Sequence, residues 1–229
     1  VFGESKAKPE VPGFADLVTP LKDDFRRLFR RNHAGFAQLG LLGALTFAPW
    51  DANVKTAGWG DGTVHTVLKP GEFVGGAIFQ SSAAFATYAV GRVTKSPRVA
   101  RLGADLVRAQ IVSQTVTQAV KFSTRRTRPD GTELSFPSGH TSSSFATATV
   151  LNAHFGPKVG IPAYAMASWV AASRVQMKRH HVTDVIIGAT VGVLAGRAVT
   201  FGVGSDRFAL SPLAVPGGAG VSIVRLNGR

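Results

Sequence analysis

The spacing of apolar residues predicts helices along most of the chain. Leu17, Leu21, Phe25 and Leu28 recur at three- and four-residue steps, the period of one helix face. Lys22, Arg26, Arg27, Arg30 and Arg31 fall on the other side. Residues 14–33 therefore read as a basic amphipathic helix, which either docks on an anionic membrane surface or packs its apolar stripe on the domain. Ala34 to Ala48 is an apolar helix stopped by Pro49, Phe73 to Val93 a second, and Arg98 to Phe122 a longer third. Ser138–Asn152, Val159–Val175 and Thr183–Phe201 complete the helical set. Residues 1–13, with Pro9 and Pro12, read as a mobile arm, and residues 51–70, with Gly60 and Gly62, as a loop. The tail, residues 205–229, places Pro216-Gly217-Gly218 between two short β-like runs, Leu213–Val215 and Val221–Val224. The expected fold class is all-α: one domain over residues 1–229, a helical bundle of about six or seven helices with a short C-terminal hairpin-like tail.

Composition narrows the environment. Hydrophobic residues make up 45% of the 229 and charged residues 17%, below the roughly 25% of soluble domains. The deficit points to closely packed helices or to contact with lipid. A membrane-crossing helix needs about 20 predominantly apolar residues. Ala34–Ala48 is too short, Phe73–Val90 contains Gln80, Ser81, Ser82 and Thr87, and the last candidate holds Asp184 and Arg197. A soluble or surface-attached domain is expected ahead of a spanning one. The net charge of +13 favours an anionic partner such as a phosphate ester, an anionic lipid or nucleic acid. With no cysteine, disulfides, thiolate nucleophiles and Cys-based metal sites are excluded. Val1 in place of Met is compatible with removal of an export signal and equally with trimming.

Three stretches carry candidate chemistry: Lys121-x6-Arg128-Pro129, Pro137-Ser138-Gly139-His140, and Ser173-Arg174-x5-His180-x3-Asp184. Lys121 and Arg128 share a helix face if the helix persists through Thr127, with Pro129 ending it. Taken alone, Lys121, Arg125, Arg126 and Arg128 more readily describe a solvated basic face or a nucleic-acid patch. Pro137 to His140 precedes a helical run, so its backbone amides and dipole form an anion-attracting N-terminus. Gly139 admits close approach of an anion and Ser138 offers a hydroxyl. The bland reading is an ordinary Ser-capped helix. His180 and Asp184, four apart, are neighbours on a helix face or across its first turn. A carboxylate on one ring nitrogen leaves the other free to attack phosphorus. His181 is expected to point elsewhere. A zinc site built from His140, His154, His180, His181 and Asp184 is disfavoured, because three cations would oppose the metal.

The three-part pattern resembles the type 2 phosphatidic acid phosphatase superfamily, which also contains vanadium haloperoxidases and bacterial non-specific acid phosphatases. The resemblance covers Lys121 to Asp184 and the helix beyond. It implies that Lys121, Arg128 and Arg174, with Ser138 and Gly139, bind the phosphoryl oxygens. It further implies His140 as general acid, His180 as nucleophile and Asp184 as its orienting partner, in an all-α bundle that needs no metal or other cofactor. Vanadate would fit the same phosphate site. Only seven residues, Asp130 to Phe136, separate the first two motifs. This leaves little chain for a lid, so the pocket is either open or walled by residues 51–70.

The expected activity is metal-independent hydrolysis of phosphate monoesters through a phosphohistidine, with phospholipid or isoprenoid phosphates as substrates. A broad-specificity soluble acid phosphatase and a vanadium-dependent haloperoxidase are the alternatives. Expected partners are the phosphate ester and an anionic membrane surface, without specific nucleic acid. The expected location is periplasmic or otherwise extracytoplasmic. A purely nucleic-acid-binding protein would explain the charge but not the paired histidine and aspartate.

Overall fold

Pro20 interrupts what the sequence predicts as one helix over residues 14–33. The structure, a computed structural model, describes residues 10–56, 62–201, 206–215 and 218–227. Residues 1–9 of the expected arm lie outside that range. In place of one long helix there is a 3-10 turn at Phe14–Leu17, helix α1 at Leu21–Leu28, and an extended Arg30 (ψ 145°) before helix α2, Arg31–Phe47. Proline lacks the donor that a continuous helix requires. The expected loop over residues 51–70 contains helices α3, Asp51–Thr56, and α4, Gly62–Leu68. The helix expected over Phe73–Val93 is split into α5, Pro70–Val74, and α6, Ala77–Val93. The chain bends by 54° at Gly75-Gly76 between them. Helices α7, Pro97–Thr124, α8, Gly139–Phe155, α9, Pro157–Gln176, and α10, Val182–Val199, follow the predicted periodicity closely. Strands β1, Asp206–Val215, and β2, Gly218–Asn227, pair antiparallel, with Val215 opposite Gly218. The tail is thus a hairpin, with strands longer than the apolar runs suggested.

Helix α10 packs on α8, α7 and α2, α8 also packs on α9, and α6 packs on α7. The main core joins Leu102, Leu106, Ala109 and Val112 of α7 to Ala146 and Val150 of α8 and Val199 of α10. Leu21, Phe25 and Leu28 of α1 lie against that core. The apolar stripe near the N-terminus therefore faces the bundle, the second of the two uses expected for it. Its basic side remains outside, with the Arg30 guanidinium 4.4 Å from the Phe201 ring centre. Between α8 and α10 the packing is unusually close. A Cβ added to Gly188 would lie 2.6 Å from the Ser138 carbonyl oxygen, so only a glycine permits this separation.

Large apolar side chains also cover the outside. Leu39, Leu42 and Leu45 on α2, Ile78, Phe85 and Val93 on α6, and Ile161 and Met166 on α9 are each more than half exposed. Apolar surface on this scale marks contact with a partner or a membrane rather than water. Contrary to the sequence expectation, one helix among the described residues, Val182–Val199, is long and apolar enough to cross a membrane, with a mean hydropathy of 1.6. Half of it is buried within the bundle.

Candidate active site

Helix α7 does not run through Thr127 as the spacing of Lys121 and Arg128 allowed. It ends at Thr124, because Arg125 adopts a left-handed conformation (φ 45°) and its N–H closes onto the Lys121 carbonyl. Arg128 reaches the site from a tight turn instead. Its N–H donates to Thr132 O at 2.7 Å, Gly131 N–H donates to Arg128 O, and Asp130 Oδ1 accepts from Thr132 N–H. The Lys121 side chain is buried and donates to Leu134 O and Ser135 O across this turn. The short 130–136 connection is therefore stitched to the end of α7.

At the start of α8, Ser138, expected as a phosphate donor, is engaged as a helix cap and is not among the residues lining the cavity. Its side chain is fully buried, and Oγ accepts from Thr141 Oγ1 at 2.9 Å and from Thr141 N–H at 3.4 Å. Ser138 is an N-cap. Gly139 and His140, one and two residues on, do face the cavity.

Arg174 occupies the last turn of α9, and its carbonyl accepts from both Arg179 N–H and His180 N–H. That turn presents Arg179 and His180 side by side. His181 caps α10, and Asp184 in the first turn accepts from His181 N–H at 2.9 Å through Oδ2. His180 precedes the helix, so its pairing with Asp184 forms across the first turn. His180 Nδ1 lies 3.6 Å from Asp184 Oδ2. Ser135 Oγ donates to the same carboxylate oxygen, and Arg126 Nη1 donates to the other at 2.7 Å.

These segments enclose a cavity of 250 Å³. Four cations line it: Lys121, Arg128, Arg174 and Arg179. His140 and His180 share the cavity with Gly139, and its remaining wall is Glu72, Ala77, Gln114 and Gln118. The expected wall from residues 51–70 is thus supplied slightly later in the chain, by α5 and the start of α6. The bend at Gly75-Gly76 turns both toward the histidines. Glu72 Oε1 stands 3.4 Å from Arg174 Nη1. The buried Nε atoms of Arg128, Arg174 and Arg179 make no hydrogen bond within the protein. Buried donors left in this state are costly, and an anion's oxygens are the natural acceptors for them.

Burial and neighbouring cations set the protonation states. Burial is the main force holding His180 down to about 4, with Lys121 and Arg174 acting the same way and Asp184 opposing. His140 is held down to about 3 by burial, then by Arg174 and His180. Lys121 falls to about 8 through burial and the charge of Arg128. Burial pushes the Asp184 carboxyl up. The His180 imidazole facing it, hydrogen bonds from Ser135 and His181, and the charge of Arg126 nevertheless keep it below the ordinary carboxylate range. Both imidazoles are therefore neutral at rest, facing a ring of cations.

Every expected site residue except Ser138 lies in this cavity or directly behind it. Arg126, which the sequence offered only as part of a solvated basic face or nucleic-acid patch, turns inward to Asp184. Asp51, Ser135, Arg179 and Glu72 carry no motif that a single sequence reveals. His181 is buried, with Nδ1 against Asp51 O and Nε2 against Thr127 O, both at 3.2 Å. His154 sits at the opposite end of α8, 2.8 Å from Asp105.

Residues 102–205, just under half of the chain, match the model of the PAP2 superfamily. The chain is 42% identical over 85 residues to a lipid A 1-phosphatase of Porphyromonas gingivalis, a match covering 35% of this chain and 19% of that relative's length. It also resembles the crystal structure of LpxE from Aquifex aeolicus, with a TM-score of 0.55 and 18% identity over 67% of this chain and 94% of the other. A transmembrane PAP2-type phosphatidylglycerolphosphate phosphatase from Bacillus subtilis gives the same TM-score at 20% identity, covering 73% of this chain and 93% of that one. The structural likenesses establish the fold, and the motif-bearing helices α7 to α10 coincide with the matched segment. The PAP2 superfamily is thus the family that residues 102–205, which carry the cavity's motifs, resemble.

Proposed function

We propose that this protein is a metal-independent phosphatase that hydrolyses a phosphate monoester carried on a lipid, through a phosphohistidine at His180. The observation that carries the reading is the juxtaposition of the His180–Asp184 pair with a four-cation cavity. With Nδ1 turned to Asp184, Nε2 is the nitrogen left to attack. A bond forms from Nε2 to phosphorus, the ester P–O bond breaks, and His140 delivers a proton to the departing oxygen. In the second step His140 takes a proton from water, the oxygen of that water bonds phosphorus, and the P–N bond breaks to release inorganic phosphate. Lys121, Arg128, Arg174 and Arg179 neutralise the oxygens on which charge accumulates.

The depressed proton affinity of His140 has a chemical resolution. A phosphate monoester loses its second proton at a pH of about 6, so below that pH the substrate carries the proton in. Once bound, its charge offsets the cations that suppressed the imidazolium, and His140 becomes the better base.

A lipid-borne substrate is supported by the exposed apolar faces of α2, α6 and α9 and by the names of the relatives. Those faces would lie against acyl chains, holding the cavity at the headgroup level. Phospholipid, isoprenoid phosphate and lipid A 1-phosphate are the classes to compare with a small aryl phosphate. Preference for a lipid-borne ester in mixed micelles supports the proposal. Equal rates on both would favour a broad-specificity acid phosphatase. His180→Ala should abolish turnover, and labelled phosphate should be recovered on His180 after an alkaline quench, since phosphohistidine is acid-labile. Retention of near-native hydrolysis by that variant would sink the assignment.

An extracytoplasmic site belongs to the same proposal. The absence of cysteine makes this testable. The exposed Glu133 lies in the turn beside the cavity, and Glu133→Cys should react with a membrane-impermeant maleimide on cells whose cytoplasm is intact. Labelling only after lysis would place the site inside.

A further inference from the structure

Behind Asp184, on the side away from the cavity, a second acid–base pair is locked to it. Arg126 Nη1 donates to Asp184 Oδ1 and to Thr183 Oγ1, both at 2.7 Å, while Nη2 donates to Asp51 Oδ2 at 2.8 Å. Asp51 in turn accepts from Thr183 N–H at 3.1 Å and from Thr183 Oγ1 at 2.6 Å. Its carbonyl faces His181 Nδ1. Arg126 does not line the cavity, so it is not one of the cations that would meet phosphate. Asp51 comes from α3, far from the motif segments in the chain, and is buried.

Taking His180 as the nucleophile, we propose that Asp51 and Arg126 are positioning residues for it. Arg126 fixes Asp184 Oδ1 so that Oδ2 is presented to His180 Nδ1, and Asp51 holds Arg126 in place while anchoring the first turn of α10. The guanidinium fork suits this task because it engages two carboxylates in one plane. A lysine presents a single ammonium instead of two fixed N–H directions.

The pair also sets the charge that His180 experiences. Arg126 partly neutralises Asp184, and Asp51 partly neutralises Arg126. Other charges face His180 from the packed elements: Lys121 on α7, His140 on α8, Arg174 on α9, and Arg128 from the turn after α7. Arg179 beside it and Glu72 of α5 line the same cavity. None of these touches Asp51, so the chain Asp51–Arg126–Asp184 is a separable input.

The test is the pH dependence of kcat/KM, whose acid limb reports protonation of the free-enzyme nucleophile. Arg126→Gln removes a positive charge and leaves Asp184 more negative, so the acid limb should move to higher pH. Asp51→Asn frees the charge of Arg126 and should move it to lower pH. The double variant, which restores the net balance, should return the limb near its original position. Each single variant should also lower kcat about 10- to 100-fold through misplacement of the ring, with KM little changed. Arg126→Lys should keep the limb in place and recover part of kcat.

Loss of activity with the limb unmoved in both single variants would reduce the pair to scaffolding. A raised KM at constant kcat would instead make Arg126 a phosphate ligand and overturn the proposal. Circular dichroism of each variant excludes unfolding as the cause. NMR titration of the His180 imidazole nitrogens reads the same shifts without turnover. That arm separates the two claims: if His180→Ala still hydrolyses substrate, the nucleophile assignment fails, while the opposite NMR shifts still report whether the pair acts on His180.

Discussion

Gly188 on α10 lies directly beneath the backbone of Ser138, the cap of α8, with no room for a methyl group between them. The two helices that carry His140 and Asp184 approach through this point. Gly188→Ala should therefore push their N-terminal turns apart, costing about 1–3 kcal/mol by overpacking. The movement should also lower kcat, because the histidines diverge. A denaturation midpoint and activity both unchanged would show that the contact relaxes freely.

The protonation states predict an acidic optimum. If His180 is the nucleophile, as proposed, its depression to about 4 keeps it neutral above that pH, so kcat/KM should fall only as pH drops through about 4. On the other side, loss of the substrate's second proton near a pH of about 6 removes the proton that His140 must deliver. Further decline is expected through about 8, where Lys121 loses its charge and KM should rise. Replacing the phosphate ester by one with a lower second ionisation should move the alkaline limb down. An unmoved limb would assign it to the protein instead.

Glu72 competes with substrate for Arg174, which it approaches at 3.4 Å. Glu72→Gln should tighten inhibition by inorganic phosphate or vanadate about three- to tenfold, as expected for removing one like charge from a partly exposed rim. Weaker inhibition would mean that the carboxylate orients Arg174 more than it repels the anion.

Ser138 offers a contrasting case. As a helix cap, its replacement in Ser138→Ala should cost about 0.5–2 kcal/mol of stability, read from chemical denaturation. Its effect on KM should be small. A large KM increase at unchanged stability would restore the phosphate-donor role that the motif suggested.

The motif residues Lys121, Arg128, Gly139, His140, Arg174, His180 and Asp184 were legible because their chemistry and spacing are local. Helices α7 to α10 were legible because apolar periodicity over 17 residues or more leaves little choice. The breaks were harder to foresee. Pro20 can begin a helix as well as end one, and Gly75-Gly76 is tolerated within many helices, so tertiary packing decides both. Asp51 and Arg126 were invisible for another reason. Their partnership joins positions 75 residues apart, and nothing in either neighbourhood distinguishes an inward arginine from the exposed Arg125 beside it. Ser138 was ambiguous because capping and anion binding call for the same hydroxyl at the same kind of site.

Four like-charged side chains from two separate stretches of backbone, 121–128 and 174–179, meet only when the bundle has assembled. Their mutual repulsion opposes folding, and any oxyanion that enters relieves it. Phosphate or vanadate should accordingly act as a clasp, raising the melting temperature in proportion to the logarithm of its concentration once the site is saturated.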